Sequence, residues 1–403
     1  MRISTQTFYE QSRTSMGSQQ SSLLRVQQQL GAGTKILTPS DDPLGATRAL
    51  AISQSIALTA QYSASRNHAV QTLSLEENAL QSVTTVLQNI KSLVVQAGNG
   101  TLADADRASI ATTLQSSLDQ LQGLANTDDG NGQFLFAGFR SSSAPFVRQA
   151  DGGIQYNGDQ GQRQVQVDVS RQMAGTDNGR SIFQTVQAGA GYVASAPGAN
   201  TGSGVFSSTS VVNPNDVNYG KDFVISFPAA GSYQVDTVPA SSSPLVAATP
   251  FTPGSTIAFG GLQLSISGAP AAGDEIHVAT AKNAGADVFS AIGDVIKALR
   301  TTAQGPQNQA LVLNALSTAN RKLTNAHDNV LAVRTSVGSR LQELDTLAVS
   351  ANDRTLQDKL ALSNLQDLDY GSAIAEFYQR QTALQASQQT FVKIQQISLF
   401  NYL

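Results

Sequence analysis

Apolar residues recur every seven positions at both ends of this 403-residue chain. Near the start, Tyr9, Met16, Leu23, Leu30 and Leu37 keep that spacing, with Val26 among the few companions and Ser, Gln, Arg and Thr between them. The pattern predicts an amphipathic helix with a narrow apolar seam that needs a partner helix. Gly31 and Gly33 weaken this helix near its end, and Pro39-Ser40-Asp41-Asp42-Pro43 stops it. The same five residues restart one: Ser40, Asp41 or Asp42 can cap a following helix, and Pro43 suits its first turn. That second segment runs from about Pro43 to Ala97 on Leu73, Leu80, Leu87 and Val94, with Val83 and Ile90 between them. Gly98-Asn99-Gly100 ends it by tolerating positive φ. A third helix follows on Ile110, Leu114, Leu118, Leu121 and Ala125, closed by the Asp128–Gly132 loop.

From Gln133 the period shortens. Phe134–Phe136, Ile154–Tyr156 and Val165–Val169 cluster or alternate as strands do, separated by Gly, Asn and Asp turns, and predict a hairpin region against the helices. Residues 186–284 have a composition of their own, with eight of the twelve prolines and only seven charged residues. Asp222–Phe227, Ser232–Val238, Thr256–Phe259, Leu262–Ser267 and Glu275–Ala279 read as strands joined by Gly- and Pro-rich turns. These residues are expected to form an all-β domain inserted into the helical frame.

Helix returns at Asp287–Arg300 and breaks at Gly305-Pro306. Then Leu316, Leu323, Val330, Val337, Leu344 and Ala351 repeat at sevens, more heptads than a coiled-coil assignment needs. Asp369-Tyr370-Gly371 marks a joint. The last helix carries Phe377, Leu384 and Phe391 at sevens, then Ile394, Ile397 and Phe400, in a glutamine-rich setting. The expected fold is mainly α with β: a discontinuous rod of long antiparallel helices with coiled-coil termini, a β-hairpin region and an inserted all-β outer domain. Terminal helices occupy 1–45 and 366–403, the long-helix part 46–185 and 285–365, and the insert 186–284. A two-helix tail with so narrow a seam buries little against the entropy of ordering it. The termini are therefore expected to order when copies pack side by side, and their seams to serve assembly rather than an internal core.

Composition removes most chemistry. The chain has no cysteine and three histidines, so it lacks thiol nucleophiles and the material for a His-based metal centre. A net charge of −4 argues against binding a nucleic-acid backbone. No apolar run approaches a membrane span, and no cleavable secretory signal opens the chain. The adjacent Asp41 and Asp42 diverge in direction and read as capping residues of a joint rather than an acid–base pair. Asp128-Asp129-Gly130-Asn131-Gly132 lacks calcium-loop spacing and reads as a turn. Gly31-Ala32-Gly33 follows a helix rather than a strand and is no phosphate cradle. His68, His277 and His327 read as ordinary helix and strand residues. Catalytic, cofactor-binding and metal residues are expected to be absent, with no cofactor.

Several motifs occur together and in order. Met1-Arg2-Ile3-Ser4-Thr5 opens the chain, Leu30 through Pro43 forms a Leu-Gly-Ala-Gly-Thr-Lys-Ile-Leu-Thr-Pro-Ser-Asp-Asp-Pro block, and Leu399-Phe400-Asn401-Tyr402-Leu403 closes it. Between them lie Gly132–Phe139 followed by Ala144-Pro145-Phe146, Tyr156–Val165, and Leu365–Tyr370 through Phe391–Ile394. The chain resembles the flagellin superfamily over about residues 1–185 and 285–403, and within it the hook-associated family of hook–filament junction subunits. Ser265–Ile276 resembles a β motif of outer domains in hook-associated proteins. The resemblance implies export through the flagellar type III apparatus without a cleaved peptide, and a cytoplasmic chaperone on the C-terminal helix. It also implies a ring of self-associated subunits on the first hook-associated protein, with the filament cap and flagellin distal, outside the cell. Flagellin itself, or a surface adhesin using the β insert, are the alternative functions. Some flagellins carry a metalloprotease in the outer position, but no His-Glu-x-x-His occurs here.

Overall fold

The computed structural model describes residues 5–100, 102–302 and 304–400, with side chains described for all of these except 5, 6, 8 and 394–400. Among the described residues seven helices run in chain order: α1 (Thr5–Ala32), α2 (Pro43–Ala97), α3 (Asp104–Ala125), α4 (Gly179–Phe183), α5 (Val288–Arg300), α6 (Pro306–Gln366) and α7 (Tyr370–Phe400). Two units emerge, one from residues 1–64 and 346–403, the other from residues 65–345.

In the larger unit the seven-residue repeats become core. Leu73, Leu80, Leu87 and Val94 of α2 are buried, as are Leu316, Leu323, Val330, Val337 and Leu344 of α6. The two helices run antiparallel, since Glu77 meets Arg334 (Nε–Oε1 3.0 Å) while Gln88 meets His327 further along (3.4 Å). α3 packs on α5, which Asp287 caps by accepting from the amides of Phe289 and Ser290. Asp287 is largely buried, and burial raises its carboxyl pKa despite those bonds.

Short hairpins lie on this frame: β1 (Phe146–Arg148) with β2 (Ile154–Tyr156), and β3 (Gln164–Asp168) with β4 (Arg171–Ala174). Phe134–Phe136, expected as a strand, forms no ladder beyond a single bridge from Phe134 to Asp128. Leu135, Phe136 and Ala137 are buried in succession, without the in–out alternation of a half-buried strand. The Phe136 carbonyl instead accepts from the Gly179 amide (2.7 Å) and the Tyr156 hydroxyl (3.0 Å). Phe136, Phe146, Phe183 and Phe289 stack beneath this loop, with Phe146 4.9 Å from Phe289 and 5.3 Å from Phe183.

The β-rich segment contains β5 (Val193–Ser195), β6 (Val205–Phe206), β7 (Ser210–Val211), β8 (Asp222–Ala229), β9 (Ser232–Val238), β10 (Val246–Pro250), β11 (Thr256–Phe259), β12 (Leu262–Ser267) and β13 (Glu275–Ala279). One antiparallel sheet has the order β10-β9-β8-β13-β5; the other is β11-β12-β6, with β7 also on β12. Phe223, Ile225 and Phe227 alternate inward along β8 and share one core with Ile257, Leu264 and Ile276. Ile225 sits opposite both Val235 and Ile276, so register puts large apolar residues side by side on the buried face.

α6 holds this segment by polar side chains. Asn314, Thr318, Arg321, Asn325 and Asn329 recur at helical spacing on the face opposite Leu316 and Leu323. Asn314 donates to the Gly204 carbonyl (2.8 Å) and accepts from the Phe206 amide (3.1 Å). Thr318 donates to Ala194, Arg321 to Tyr192 and Thr209, Asn325 to Gly191, and Asn329 to Ser181 and Ile182, all at main-chain carbonyls. Asn314, Asn325 and Asn329 are buried, so each bond satisfies a group that water does not reach.

A second buried polar cluster lies deeper in the same unit. Glu76 of α2 is fully buried, and its Oε1 accepts from the Asp177 amide (3.2 Å). Asp177 pairs with Arg340 of α6, which also donates to the Ala174 carbonyl. Burial first, and the neighbouring Asp177 second, push the Glu76 carboxyl up to about 8, with Arg340 acting against them.

Candidate assembly interface

The smaller unit is built from α1, α7 and the joined ends of α2 and α6. α1 and α7 pack antiparallel: the Tyr9 ring meets Phe391 edge-on with centroids 5.9 Å apart, and Ser387 donates to Gln19 (3.0 Å). Seam residues from the two ends of the chain thus meet each other. Tyr9, Met16, Leu23, Leu30, Phe377, Leu384 and Phe391 are half-buried in the single chain, and Val26 is buried. A cavity of about 480 Å³ remains between Gln11–Met16 and Ala386–Phe391, so the pair closes incompletely. Ile394 and Phe400 lie outside the described side chains.

The linkers between the helices clasp each other. Gly33 adopts φ +71, which ends α1 and places Leu37 in the following loop, half-buried, rather than on the helical seam. Thr34 bridges Asp367, the Lys35 amide donates to the Gln366 carbonyl (2.8 Å), and the Leu368 amide donates to Gly33 (3.0 Å).

Of the Pro39–Pro43 residues, Asp41 accepts from the amides of Thr38 (3.0 Å) and Leu37 (3.1 Å) and pairs with Arg25 (2.8 Å). The Thr38 amide first, then Leu37 and Arg25, hold its carboxyl below the usual range. Asp42 caps α2 by accepting from the Gly45 amide (2.9 Å), directly ahead of Pro43 at the first helical position. The Ser40 hydroxyl bonds that of Thr38 (2.7 Å), and Pro39 is exposed. Asp369 begins α7 by accepting from the Gly371 and Ser372 amides and the Ser372 hydroxyl, which hold its carboxyl low. Each acidic residue here is engaged in ending or starting a helix.

What this unit lacks is a core. Among its described residues the buried apolar side chains are Val26, Ala49, Ala351 and Ala373, three of them alanine. Large apolar residues face outward instead: Leu44, Leu50 and Leu58 on α2, Val349, Leu356 and Leu360 on α6, and Tyr370, Ile374 and Tyr378 on α7. The arrangement suits association of helices and offers no reactive group. Among the described residues no three His, Asp or Glu side chains converge on a metal position, and no helix is long and apolar enough to cross a membrane. In the Asp128–Gly132 loop, Asp129 accepts from the amides of Asn131 and Gln133 and Asp128 from that of Gly130, which makes it a turn.

A family model described as the bacterial flagellin N-terminal helical region matches residues 3–141. The flagellar hook-associated protein 3 of Salmonella typhimurium is 34% identical over 401 residues, 99% of this chain and 99% of its own. The chain belongs to the flagellar hook-associated protein 3 family. A crystal structure of Xanthomonas campestris FlgL aligns with 77% of this chain and 99% of its own, at a TM-score of 0.67 and 30% identity. A Salmonella phase 1 flagellin, by contrast, matches 130 residues, 32% of this chain, at 29% identity. The hook-associated likeness spans the whole chain and the flagellin likeness a third of it.

For this hook-associated protein 3 relative, periodicity located the seam that α1 and α7 share but overlooked the outward residues of α2, α6 and α7. The signal was present on α6: Val349, Leu356 and Leu360 repeat at seven and four, forming a second stripe opposite the Leu344–Ala351 seam.

Proposed function

We propose that this chain is a structural, non-catalytic subunit of the flagellar hook–filament junction. Its family is one of structural flagellar proteins rather than of enzymes. Similarity to hook-associated protein 3 over 99% of the chain, and to the flagellar junction protein FlgL of Legionella pneumophila over 79% of it, supports the reading. The observation that carries it mechanistically is the smaller unit, which contributes helices with outward leucines and tyrosines but almost no core of its own. In this reading the unfolded chain leaves the cytoplasm through the flagellar export apparatus, its C-terminal helix (366–403) held beforehand by an export chaperone. Outside the cell the terminal segments 1–45 and 366–403 order as copies form a ring on the first hook-associated protein. The filament cap and flagellin follow on the distal side, with residues 186–284 outermost. The half-buried seam residues Tyr9, Met16, Leu23, Leu30, Phe377, Leu384 and Phe391 and the half-buried loop residue Leu37 complete their burial there, and Ile394 and Phe400 join the same contact.

Deleting the gene and imaging the cells tests this. Hooks without filaments, flagellin released into the medium, and immunogold label confined to the hook–filament boundary in the parent are the expected results. Label along the entire filament would replace the junction reading with flagellin.

A further inference from the structure

Asparagine is followed by glycine four times in the chain, at Asn99-Gly100, Asn131-Gly132, Asn157-Gly158 and Asn178-Gly179. At such a pair the glycine amide nitrogen can attack the asparagine side-chain carbonyl, since no Cβ on the glycine obstructs the approach. Ring closure also needs the peptide between the two residues free to turn. What holds that peptide separates the four pairs.

Asn178-Gly179 is locked. Asn178 is buried, its side chain accepts from the Ser181 amide (2.9 Å), and the Gly179 amide donates to the Phe136 carbonyl (2.7 Å). At the end of α2, the Asn99 carbonyl accepts from the Leu102 amide (3.2 Å) while the Asn99 amide donates to Gln96 (3.1 Å). Gly158 is half-buried with the Tyr156 ring where a Cβ would point, and the Tyr156 hydroxyl holds the next carbonyl, that of Asp159 (2.7 Å).

Asn131-Gly132 differs in each respect. Both residues are exposed, and nothing lies within 4 Å of a Cβ placed on Gly132. Neither the Asn131 carbonyl nor the Gly132 amide has a hydrogen-bond partner among the described residues. The base of the turn is fixed on both sides, because the Asp129 amide donates to the Gln133 carbonyl (2.9 Å) and the Asp129 carboxylate accepts from the Gln133 amide (3.1 Å). The tip can therefore rearrange without dismantling the turn that presents it.

We infer that Asn131 is a site of spontaneous covalent modification, converted through a cyclic imide with Gly132 into a mixture of aspartate and isoaspartate. The Gly132 nitrogen bonds to Cγ of Asn131, the Cγ–Nδ2 bond breaks, and the proton from the Gly132 nitrogen leaves with the side-chain amide as ammonia. Water then opens the imide. Attack at Cγ gives aspartate, and attack at the main-chain carbonyl gives isoaspartate. Solvent water is the only co-reactant. Either product sets a carboxylate beside Asp129, whose own carboxyl is held low by the Asn131 and Gln133 main-chain amides and further by the Asn131 side chain. A like charge in place of that side-chain amide loosens the turn. The turn thus changes charge with the age of the subunit, whatever the subunit assembles with.

The test incubates the purified full chain in neutral buffer made with heavy-oxygen water, folded and in guanidinium chloride, and weighs its peptides after digestion. The heavy oxygen marks acid formed during the incubation. In denaturant all four pairs should react at comparable rates. In the folded chain Asn131 should stay within about threefold of its denatured rate, whereas Asn178, which reacts only through local opening, should slow at least about tenfold. Asn99 and Asn157 should also react more slowly than Asn131, and the Asn131 peptide should yield two separable acids of equal mass. Asn131→Gln should abolish the product at 131 and leave the other three peptides as in the parent. Suppression of Asn131 to the level of Asn178 in the folded chain, faster reaction at Asn99 or Asn157, or a single aspartate product would overturn the inference. Protease should cut Asn131→Asp within residues 128–133 several-fold faster than Asn131→Gln, and equal cutting would overturn the loosening of the turn.

Discussion

Replacing Glu76 with glutamine isolates the carboxyl that burial holds protonated. Glu76 is fully buried between α2 and the Asp177–Arg340 pair, and its Oε2 has no hydrogen-bond partner. Its pKa stands at about 8 in the folded chain against an ordinary value of 4.5. The folded state therefore binds the proton more tightly than the unfolded state throughout that interval. The contribution of Glu76 to stability is fully present below pH 4.5, falls as pH rises through the interval, and is lost above pH 8. At about 1.4 kcal/mol per pH unit, the loss reaches about 3 kcal/mol by pH 7 and about 5 kcal/mol at its limit. Glutamine stays neutral and can keep the contact with Asp177. Glu76→Gln should unfold within about 1 kcal/mol of wild type at pH 5 and be more stable by about 3 kcal/mol or more at pH 8. Urea unfolding followed by far-ultraviolet circular dichroism at pH 5, 6, 7 and 8 measures both. Parallel pH profiles for the two proteins would refute the assignment of a buried, protonated Glu76.

Three further substitutions probe the frame and the termini. Asn314→Ala removes both bonds to the main chain at Gly204 and Phe206 and strands buried polar groups, so it should cost about 2 kcal/mol and speed proteolytic cleavage near residues 203–207. Gly33→Ala forces a side chain into φ +71 with its Cβ 3.0 Å from the Tyr370 hydroxyl, and should destabilise the clasp by about 1–2 kcal/mol, seen as faster cleavage in the 33–42 loop. Phe377→Ala should weaken assembly measured by sedimentation more than it lowers the melting temperature of residues 46–365. Equal losses in both would make Phe377 an ordinary core residue.

Much of the frame was legible because its helices repeat an apolar residue every seven positions and end at recognisable stops. Gly98, Gly305-Pro306 and Asp369 bound α2, α6 and α7 where conformational preference places them. β9, β11, β12 and β13 matched their alternating runs residue for residue, and β8 extended two residues beyond its run to Ala229. β5, β6 and β7 escaped because two- or three-residue strands contain too few positions to alternate, and β10 because Val246–Pro250 is small and mostly exposed. Phe134–Phe136 misled because a run of aromatic and aliphatic residues suits a buried loop as well as a strand. The polar ladder of α6 was hidden for a related reason. Asn, Thr and Arg at helical spacing look like a solvated face unless a main-chain partner is known to lie opposite them. Three asparagines on one face of a helix, where asparagine is a mediocre helix former, were the available hint. In the smaller unit, the sevens pointed to the seam between α1 and α7, whereas the outward leucines lie on helices whose inner repeat had already accounted for their amphipathic character.

The grip of α6 on residues 181–209 has a consequence for how freely the β segment can change. Asn314, Thr318, Arg321, Asn325 and Asn329 read carbonyls and an amide that every sequence possesses, not the side chains attached to them. Substitutions on the far surface of the β segment leave the anchor points untouched, provided the backbone path from Ser181 to Thr209 survives. The fold thus separates a mounting that tolerates little variation from a cargo that tolerates a great deal, and a foreign β segment grafted onto that path should be carried in the same orientation.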